Sequence, residues 1–331
     1  MAFRVGLVGL GMAVTPHAKS LIDLKDRVEV AYAYSPSGER RAQFAKKFPF
    51  QTCERLETIL EDRSVDAVLL LTPPNTHLEL ASRFAAAGKH VLLEKPLEIS
   101  TARAEELVRK CAGIKLGVVL QHRFRPAAEK LLEILSELGR LVSASAAIPN
   151  WRPQSYYDQP GRGTRARDGG GVLLTQGIHT LDLLLSFAGE AAEVRSFSTT
   201  TPVHRMETED LVCAAVRWKS GALGVVHATT AAYPGFAERI ELIGTRGTAL
   251  LQGTELQVRF ADGTSIDVKT EAGGGGTGAD PMAFPHDWHR SVLADFLDAI
   301  ERDRQPRVSG AEALKVHRFI DALLQSPRSA G

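Results

Sequence analysis

Five short clusters along the chain combine residue types that handle phosphate, protons and developing charge. The first, Gly9-Leu10-Gly11, follows the apolar run Phe3–Val8 and opens a stretch with helical spacing at Pro16–Asp26. A helix N-terminus offers unpaired N–H groups and a positive dipole end, which suit a pyrophosphate. Gly9 permits a tight turn and Gly11 lets the backbone approach a phosphate, while Val14 stands where the third glycine of the dinucleotide fingerprint would fall. Three more clusters are Thr72-Pro73-Pro74-Asn75-Thr76-His77, Glu94-Lys95-Pro96 and Gln121-His122-Arg123-Phe124. Each directly follows a short apolar run, at what would be the carboxyl end of a parallel strand, where open α/β sheets bind ligands. The fifth runs from Gly169-Gly170-Gly171 through Thr175 to Gly177-Ile178-His179, ahead of a helix marked by Leu181, Leu184 and Leu185.

The elements that must position these clusters alternate through the first 121 residues. Near-continuous apolar runs (Phe3–Val8, Val28–Tyr34, Ala67–Leu71, Val91–Leu93, Leu116–Leu120) are separated by segments of helical period (Pro16–Asp26, Glu39–Phe48, Arg55–Glu61, Thr76–Ala87, Thr101–Ala112). That alternation predicts a parallel sheet covered on both faces. After a helix at Ala127–Leu138 the pattern changes to strands joined by tight turns such as Lys219-Ser220-Gly221 and Ala261-Asp262-Gly263. The expected fold class is α/β, with a C-terminal α+β domain built on a large, mostly antiparallel open sheet. Two helices near Asp287–Arg302 and Ala311–Gln325 close the chain, and Gly273–Gly276 reads as a flexible loop. The boundary falls near residue 122, giving domains 1–122 and 123–331.

Composition excludes several classes. The 331 residues carry 40 Lys+Arg against 39 Asp+Glu, a formal net charge of +1, so no basic excess exists for counterion release on nucleic acid. No apolar run is long enough to span a bilayer. Three cysteines, Cys53, Cys111 and Cys213, are odd in number and far apart. That fits a reduced cytoplasmic protein with neither a disulfide framework nor a zinc spacing. No signal peptide is expected ahead of Phe3-Arg4-Val5, because the first apolar run already enters a glycine turn.

Glu94-Lys95-Pro96 at its strand end, joined to the Gly169–His179 motif, resembles the Gfo/Idh/MocA family of oxidoreductases, named for glucose–fructose oxidoreductase and inositol dehydrogenase. The resemblance covers essentially the whole chain. It implies a Rossmann domain for NAD(H) or NADP(H), and hydride transfer between nicotinamide and a hydroxyl carbon of a sugar, cyclitol or derivative. It places Lys95 beside the nicotinamide, often with a cis bond to Pro96. An ammonium there stabilises the alkoxide character that develops as hydride leaves. It gives His179 the hydroxyl proton, a task suited to an imidazole at neutral pH. Thr175 is a departure: many relatives carry Asp there, and a threonine can only hydrogen-bond. Asp182, three residues after His179, either orients the imidazole or faces another partner. The expected dinucleotide contacts are Gly9, Gly11, Met12, Ala13, Ser35, Arg40, Thr72, Pro73, Asn75, His77, Glu94, Lys95 and Gln121. A redox-assisted glycosidase and a dinucleotide-binding sugar sensor without turnover are the alternatives.

Two finer expectations follow. The second strand ends at Tyr34-Ser35-Pro36-Ser37-Gly38-Glu39-Arg40-Arg41, with no acidic residue at the usual ribose position. Ser35 and Arg40 suit a 2′-phosphate, so NADP is preferred, with NAD as the second choice. Substrate contacts are expected from Arg123, Trp151, Arg152, Tyr156, Tyr157, Arg162 and His179. The arginines of this set, with Arg165 and Arg167, favour an anionic sugar derivative. His286 and His289 share a helix face at i, i+3, but no third ligand is in view; they read as polar surface and no metal is expected. Val212, Ala214 and Val216 alternate with Cys213, Ala215 and Arg217, a strand apolar on both faces. Such a sheet needs a second cover, so a homodimer or homotetramer through the C-terminal sheet is expected.

Overall fold

The computed structural model describes residues 2–269 and 285–325; the loop read at Gly273–Gly276 lies outside them. In chain order the elements are β1 (Phe3–Val8), α1 (Val14–Asp23), β2 (Val28–Tyr34), α2 (Gly38–Ala45), β3 (Thr52–Cys53), α3 (Leu56–Glu61), β4 (Ala67–Leu70), α4 (His77–Ala86), β5 (His90–Leu93), α5 (Thr101–Lys110), β6 (Leu116–Val118) and α6 (Pro126–Ile134). There follow β7 (Leu141–Pro149), α7 (Gln154–Tyr157), α8 (Ile178–Ala188), β8 (Ala191–Thr199), β9 (Leu211–Trp218), β10 (Leu223–Thr229), β11 (Arg239–Gly244), β12 (Gly247–Gln252), β13 (Glu255–Phe260), β14 (Ser265–Val268), α9 (Asp287–Glu301) and α10 (Gly310–Leu324).

The chain divides into two compact units. The first comprises Met1–Gln121 with His286–Leu314, the second His122–Pro285 with Lys315–Gly331. In the first, six parallel strands run in the order β3-β2-β1-β4-β5-β6. Every residue of β4 is buried, as a strand covered on both faces requires. The order reverses between β1 and β4, so the carboxyl ends of these strands flank the switch point where such sheets hold ligands.

The assignment of the first closing helix to the second domain needs correction, while most of α10 lies in the second unit as expected. Helix α9 belongs to the first unit, where it buries Trp288, Val292, Leu293, Phe296 and Leu297. It comes so close to β6 that a Cβ on Gly117 would lie 2.9 Å from Phe296 Cδ2. Ion pairs from Arg290 and His286 to Asp23, at 2.8 and 2.9 Å, tie it to α1. A division by sequence continuity could not see this return.

The second unit is an eight-stranded sheet in the order β14-β13-β12-β11-β7-β10-β9-β8, antiparallel except for the β7–β10 pair. Several of its strands alternate, β9 most cleanly. In β9, Val212, Ala214 and Val216 are buried while Cys213, Ala215 and Arg217 are exposed. Phe197 stands opposite Cys213, which stands opposite His227, and Ala215 opposite Val225. Phe197 is 87% exposed and Val225 57%. Among the described residues, no helix is long and apolar enough to cross a membrane.

Candidate active site

The glycine turn in the first unit meets two separate demands. Gly9 has φ +106°, and a Cβ on it would sit 2.7 Å from the carbonyl of Leu71 at the end of β4, so only glycine fits. A Cβ on Gly11 would meet nothing within 4 Å, and no side chain caps the N-terminus of α1 at Ala13. Open space beside an uncapped helix start fits a dinucleotide pyrophosphate. Met12 is exposed beside it, and Val14 is the buried first residue of α1, filling core where the fingerprint glycine would lie.

At the end of β2, Ser35 is buried and its hydroxyl accepts the Ser37 N–H. Ser37 caps α2 through the Arg40 N–H. Arg41 is committed: it donates to the Ser35 carbonyl at 2.8 Å and to Glu54. Glu39 accepts from Gln43 along the helix. The Arg40 side chain is exposed and makes no hydrogen bond or ion pair within the described residues.

The loops after β4 and β5 are locked together by His77. This fully buried ring contacts the Thr72 carbonyl at 2.8 Å and the Pro96 and Leu97 carbonyls at 3.0 and 3.2 Å. Burial holds its pKa below the usual imidazole range. His77 therefore positions the loops that carry two of the strand-end clusters. Thr72 accepts from Thr76, while Pro73 and Asn75 are exposed at the loop surface.

Lys95 follows β5 and is half-buried, and the Lys95–Pro96 bond is cis. The Glu94 carboxylate accepts the Lys95 N–H at 3.0 Å through Oε2 and pairs with His17 Nε2 at 2.8 Å through Oε1. Burial alone would raise this carboxyl, but the His17 hydrogen bond and neighbouring cationic groups outweigh it and hold the pKa low. Glu94 thus anchors the lysine's backbone. Gln121, after β6, is buried with an Oε1 that has no hydrogen-bond partner among the described residues, a polar atom suited to a donor such as a carboxamide N–H.

In the second unit the Gly169–His179 motif folds as a π-helical turn at Leu173–Gly177 running into α8. Such a turn inside a helix often marks a functional site. Its start is fastened by Glu209, whose carboxylate accepts the Gly171 N–H at 3.1 Å and the Leu173 N–H at 3.3 Å. Burial nonetheless raises the Glu209 pKa. A Cβ on Gly171 would lie 1.8 Å from the Glu209 carbonyl oxygen, which accounts for glycine there. Thr175 donates to the Gly171 carbonyl at 2.6 Å and contacts Gln176. That hydroxyl serves the turn, so Thr175 supplies neither the charge nor the proton traffic of an aspartate.

His179 is 9% exposed and its ring stacks on His122, with centroids 4.5 Å apart. His122 Nε2 lies 2.5 Å from Arg125 Nη2. A guanidinium only donates, so this nitrogen is the acceptor. Arg125, 1% exposed, also reaches Glu238 at 2.5 Å and the Gly253 carbonyl at 3.0 Å.

Arg123 departs from its expected role. Its guanidinium makes a bidentate pair with Asp182, at 2.7 and 2.6 Å, with the Asp182 side chain only 1% exposed. Asp182 therefore faces Arg123, whose guanidinium it holds. Tyr157 is likewise buried, its hydroxyl 2.8 Å from Thr230, and burial raises its pKa. Tyr156 is half-buried, with Arg162 at 4.9 Å and Arg152 at 5.8 Å from its ring centroid. Arg152 is buried and donates to the Trp151 carbonyl. Trp151 packs edge-on to Tyr233 at 5.4 Å. Two of the arginines behind the expectation of an anionic substrate are paired within the protein, Arg165 with Glu207 and Arg123 with Asp182.

His286 and His289 separate in the structure. His286 pairs with Asp23 at the surface, whereas His289 is 3% exposed and packs edge-on to His17 at 5.0 Å. The polar-surface reading fails for His289, because the face of α9 that carries it turns inward. Glu209, His122, His17 and Arg125 were not singled out in the sequence; only His122, lying inside a strand-end cluster, carried a usable signal.

Comparison with known proteins settles the family. Residues 3–122 match the model for an oxidoreductase family with an NAD-binding Rossmann fold, and residues 130–250 match the Gfo/Idh/MocA C-terminal domain. The chain belongs to the Gfo/Idh/MocA oxidoreductase family. It is 29% identical to the myo-inositol 2-dehydrogenase of Thermotoga maritima, covering 93% of this chain and 91% of that protein. It is 30% identical to the 1,5-anhydro-D-fructose reductase of Ensifer adhaerens, covering 86% and 85%. Among solved structures, the WlbA dehydrogenase of Bordetella pertussis, in complex with NADH and UDP-GlcNAcA, is 26% identical. It superposes with a TM-score of 0.84 over 100% of this chain and 98% of that one. As a family member with this Rossmann unit, the chain is an NAD(P)-dependent oxidoreductase.

Proposed function

We propose that the chain oxidises or reduces a hydroxyl carbon of a sugar or cyclitol, with Lys95 and His179 as its catalytic residues. One observation carries the reading: the Lys95 backbone is fixed from two sides. Glu94 holds its N–H, and His77 holds the Pro96 and Leu97 carbonyls that follow. Such fixing suits a charged group that must be aimed without reorganisation. A bound nicotinamide supplies the hydride acceptor in one direction and the donor in the other. Lys95 stabilises negative charge on the reacting oxygen, and His179 takes the hydroxyl proton in oxidation and returns it in reduction. Gly9, Gly11, Met12 and Ala13 form the pyrophosphate turn, and Gln121 offers its amide to the nicotinamide end. Trp151, Tyr156, Arg152 and Arg162 supply flat and polar contacts to a sugar.

The dinucleotide is NADP in preference to NAD, supported by the uncommitted Arg40, the absence of an acid at the end of β2 and the turn of Glu39 toward Gln43. The exposed apolar residues Phe197, Leu223 and Val225 on one face of the second unit's sheet support a homodimer or homotetramer closed over that face. The protein acts in the cytoplasm, a reading supported by its three unpaired cysteines.

The test screens purified protein against inositols, neutral sugars, sugar acids and nucleotide sugars, each with NAD and NADP, following nicotinamide absorbance. Reduced dinucleotide formed with a free polyol supports the reading. Cleavage of a nitrophenyl glycoside with no net reduction would assign a redox-assisted glycosidase instead. Tight dinucleotide binding with no turnover on any class would assign a sensor.

A further inference from the structure

Inside the first unit, three side chains from separate elements meet: His17 of α1, Glu94 at the end of β5 and His289 of α9. Each offers one ligand atom, and these atoms all lie within 4.8 Å of one another. His17 is 1% exposed and the Glu94 side chain 13%. Among the described residues the His17 Nδ1 has no hydrogen-bond partner, although its Nε2 pairs with Glu94. A buried imidazole nitrogen left bare is costly.

We propose that His17, Glu94 and His289 form a binding site for a divalent transition-metal ion of the zinc or cobalt class. Two imidazoles and one carboxylate are the donor set of three-ligand zinc centres that keep a fourth position open. The set is too rich in nitrogen for magnesium or calcium, which take oxygen ligands. Tetrahedral coordination with bonds of about 2.0–2.1 Å places ligand atoms roughly 3.3 Å apart. The three ligand atoms already lie within 4.8 Å of one another, close to that spacing. Occupancy requires only small adjustments of the three side chains, with the His17–Glu94 hydrogen bond free to open. The three donors sit in one compact unit, so most of the ordering is complete before an ion arrives.

The experiment uses the full chain, stripped with a chelator and dialysed. Cobalt(II) chloride is titrated while visible absorption is read, then zinc chloride is added to displace it. We expect about one equivalent of cobalt per chain, displacement by zinc, and zinc affinity lowered at least about tenfold by His289→Ala. His286→Ala, which removes the neighbouring surface imidazole, should leave affinity unchanged. Circular dichroism checks each fold, and His289→Gln, which keeps a polar side chain of similar size, replaces the alanine variant if that does not fold. Three outcomes overturn the proposal: no retained metal at equimolar micromolar concentrations, affinity unchanged in the His289 variant, or an equal loss in His286→Ala. The readout is metal binding, so it stands or falls apart from turnover on any sugar.

Discussion

Arg123→Ala distinguishes an arginine that holds the scaffold from one that clamps a substrate. In the structure its guanidinium spans both Asp182 oxygens at 2.7 and 2.6 Å, with side-chain exposures of 14% for Arg123 and 1% for Asp182. Truncation leaves the Asp182 carboxylate buried without this counter-charge. Breaking a buried pair from one side costs about 3–5 kcal/mol. Arg123 is partly exposed, so water can enter the space it vacates, and the lower end, about 3 kcal/mol, is expected. For a unit of this size each kcal/mol moves the melting temperature by roughly 2–4 °C, so calorimetry should show a fall of about 6–12 °C. The double variant Arg123→Met/Asp182→Leu removes both charges and should recover most of that loss. KM for the substrate should change far less than stability does. A melting temperature within about 2 °C of the parent, together with a KM raised tenfold or more, would falsify the structural assignment and return Arg123 to the substrate.

Three further outcomes are expected. Lys95→Ala should lower kcat by roughly 10²–10³-fold with little change in dinucleotide affinity, as for loss of a group acting on developing charge; near-normal turnover would remove it from the mechanism. Arg40→Ala should weaken NADP binding by roughly 10–100-fold and leave NAD nearly unchanged, since a charge-assisted hydrogen bond contributes about 1.5–3 kcal/mol. Equal effects on both dinucleotides, measured by titration, would rule out a 2′-phosphate contact. Burial lowers the pKa of His289 to about 3 and that of His317 to about 4. The unfolded chain takes up protons at these positions near pH 6.5, well before the native state does. Stability should therefore fall as pH drops from about 6.5 toward 4, with a slope of up to about 3 kcal/mol per pH unit. Urea midpoints measured across that range in the presence of a chelator, with His317→Leu expected to flatten the slope, check the sign and the size.

The parallel sheet was legible because β1, β4 and β5 are short runs with almost no polar residue, a pattern that only a doubly covered strand tolerates. The strand-end clusters followed from that alone. Strand β3 was not legible, since Thr52–Cys53 is two residues long and carries no period. The π turn at Leu173–Gly177 escaped for a similar reason, as five residues cannot reveal a slightly widened helical repeat. Pairings across long sequence separations were the larger gap. Arg123 meets Asp182 59 residues on, and Arg125 meets Glu238 113 residues on, and no local spacing encodes either. His289 looked like surface because its i, i+3 partner His286 is surface. Its burial is set by the angle at which α9 lies on α1, a tertiary property.

The return of residues 286–314 to the first unit bears on how the chain is made. A ribosome releases β1 through β6 early, but the helix that covers Gly117 and packs against α1 is still unsynthesised. All of residues 122–285 must emerge first, which at ~5–20 residues per second takes roughly ten to thirty seconds. During that interval the nascent Rossmann sheet has one flank bare, and the apolar surface awaiting Trp288, Leu293 and Phe296 is open to water or to a chaperone. Folding of the first unit is thereby coupled to near-completion of the polypeptide, and a messenger truncated after the second unit's sheet would yield a chain with neither closure nor the His289 side chain.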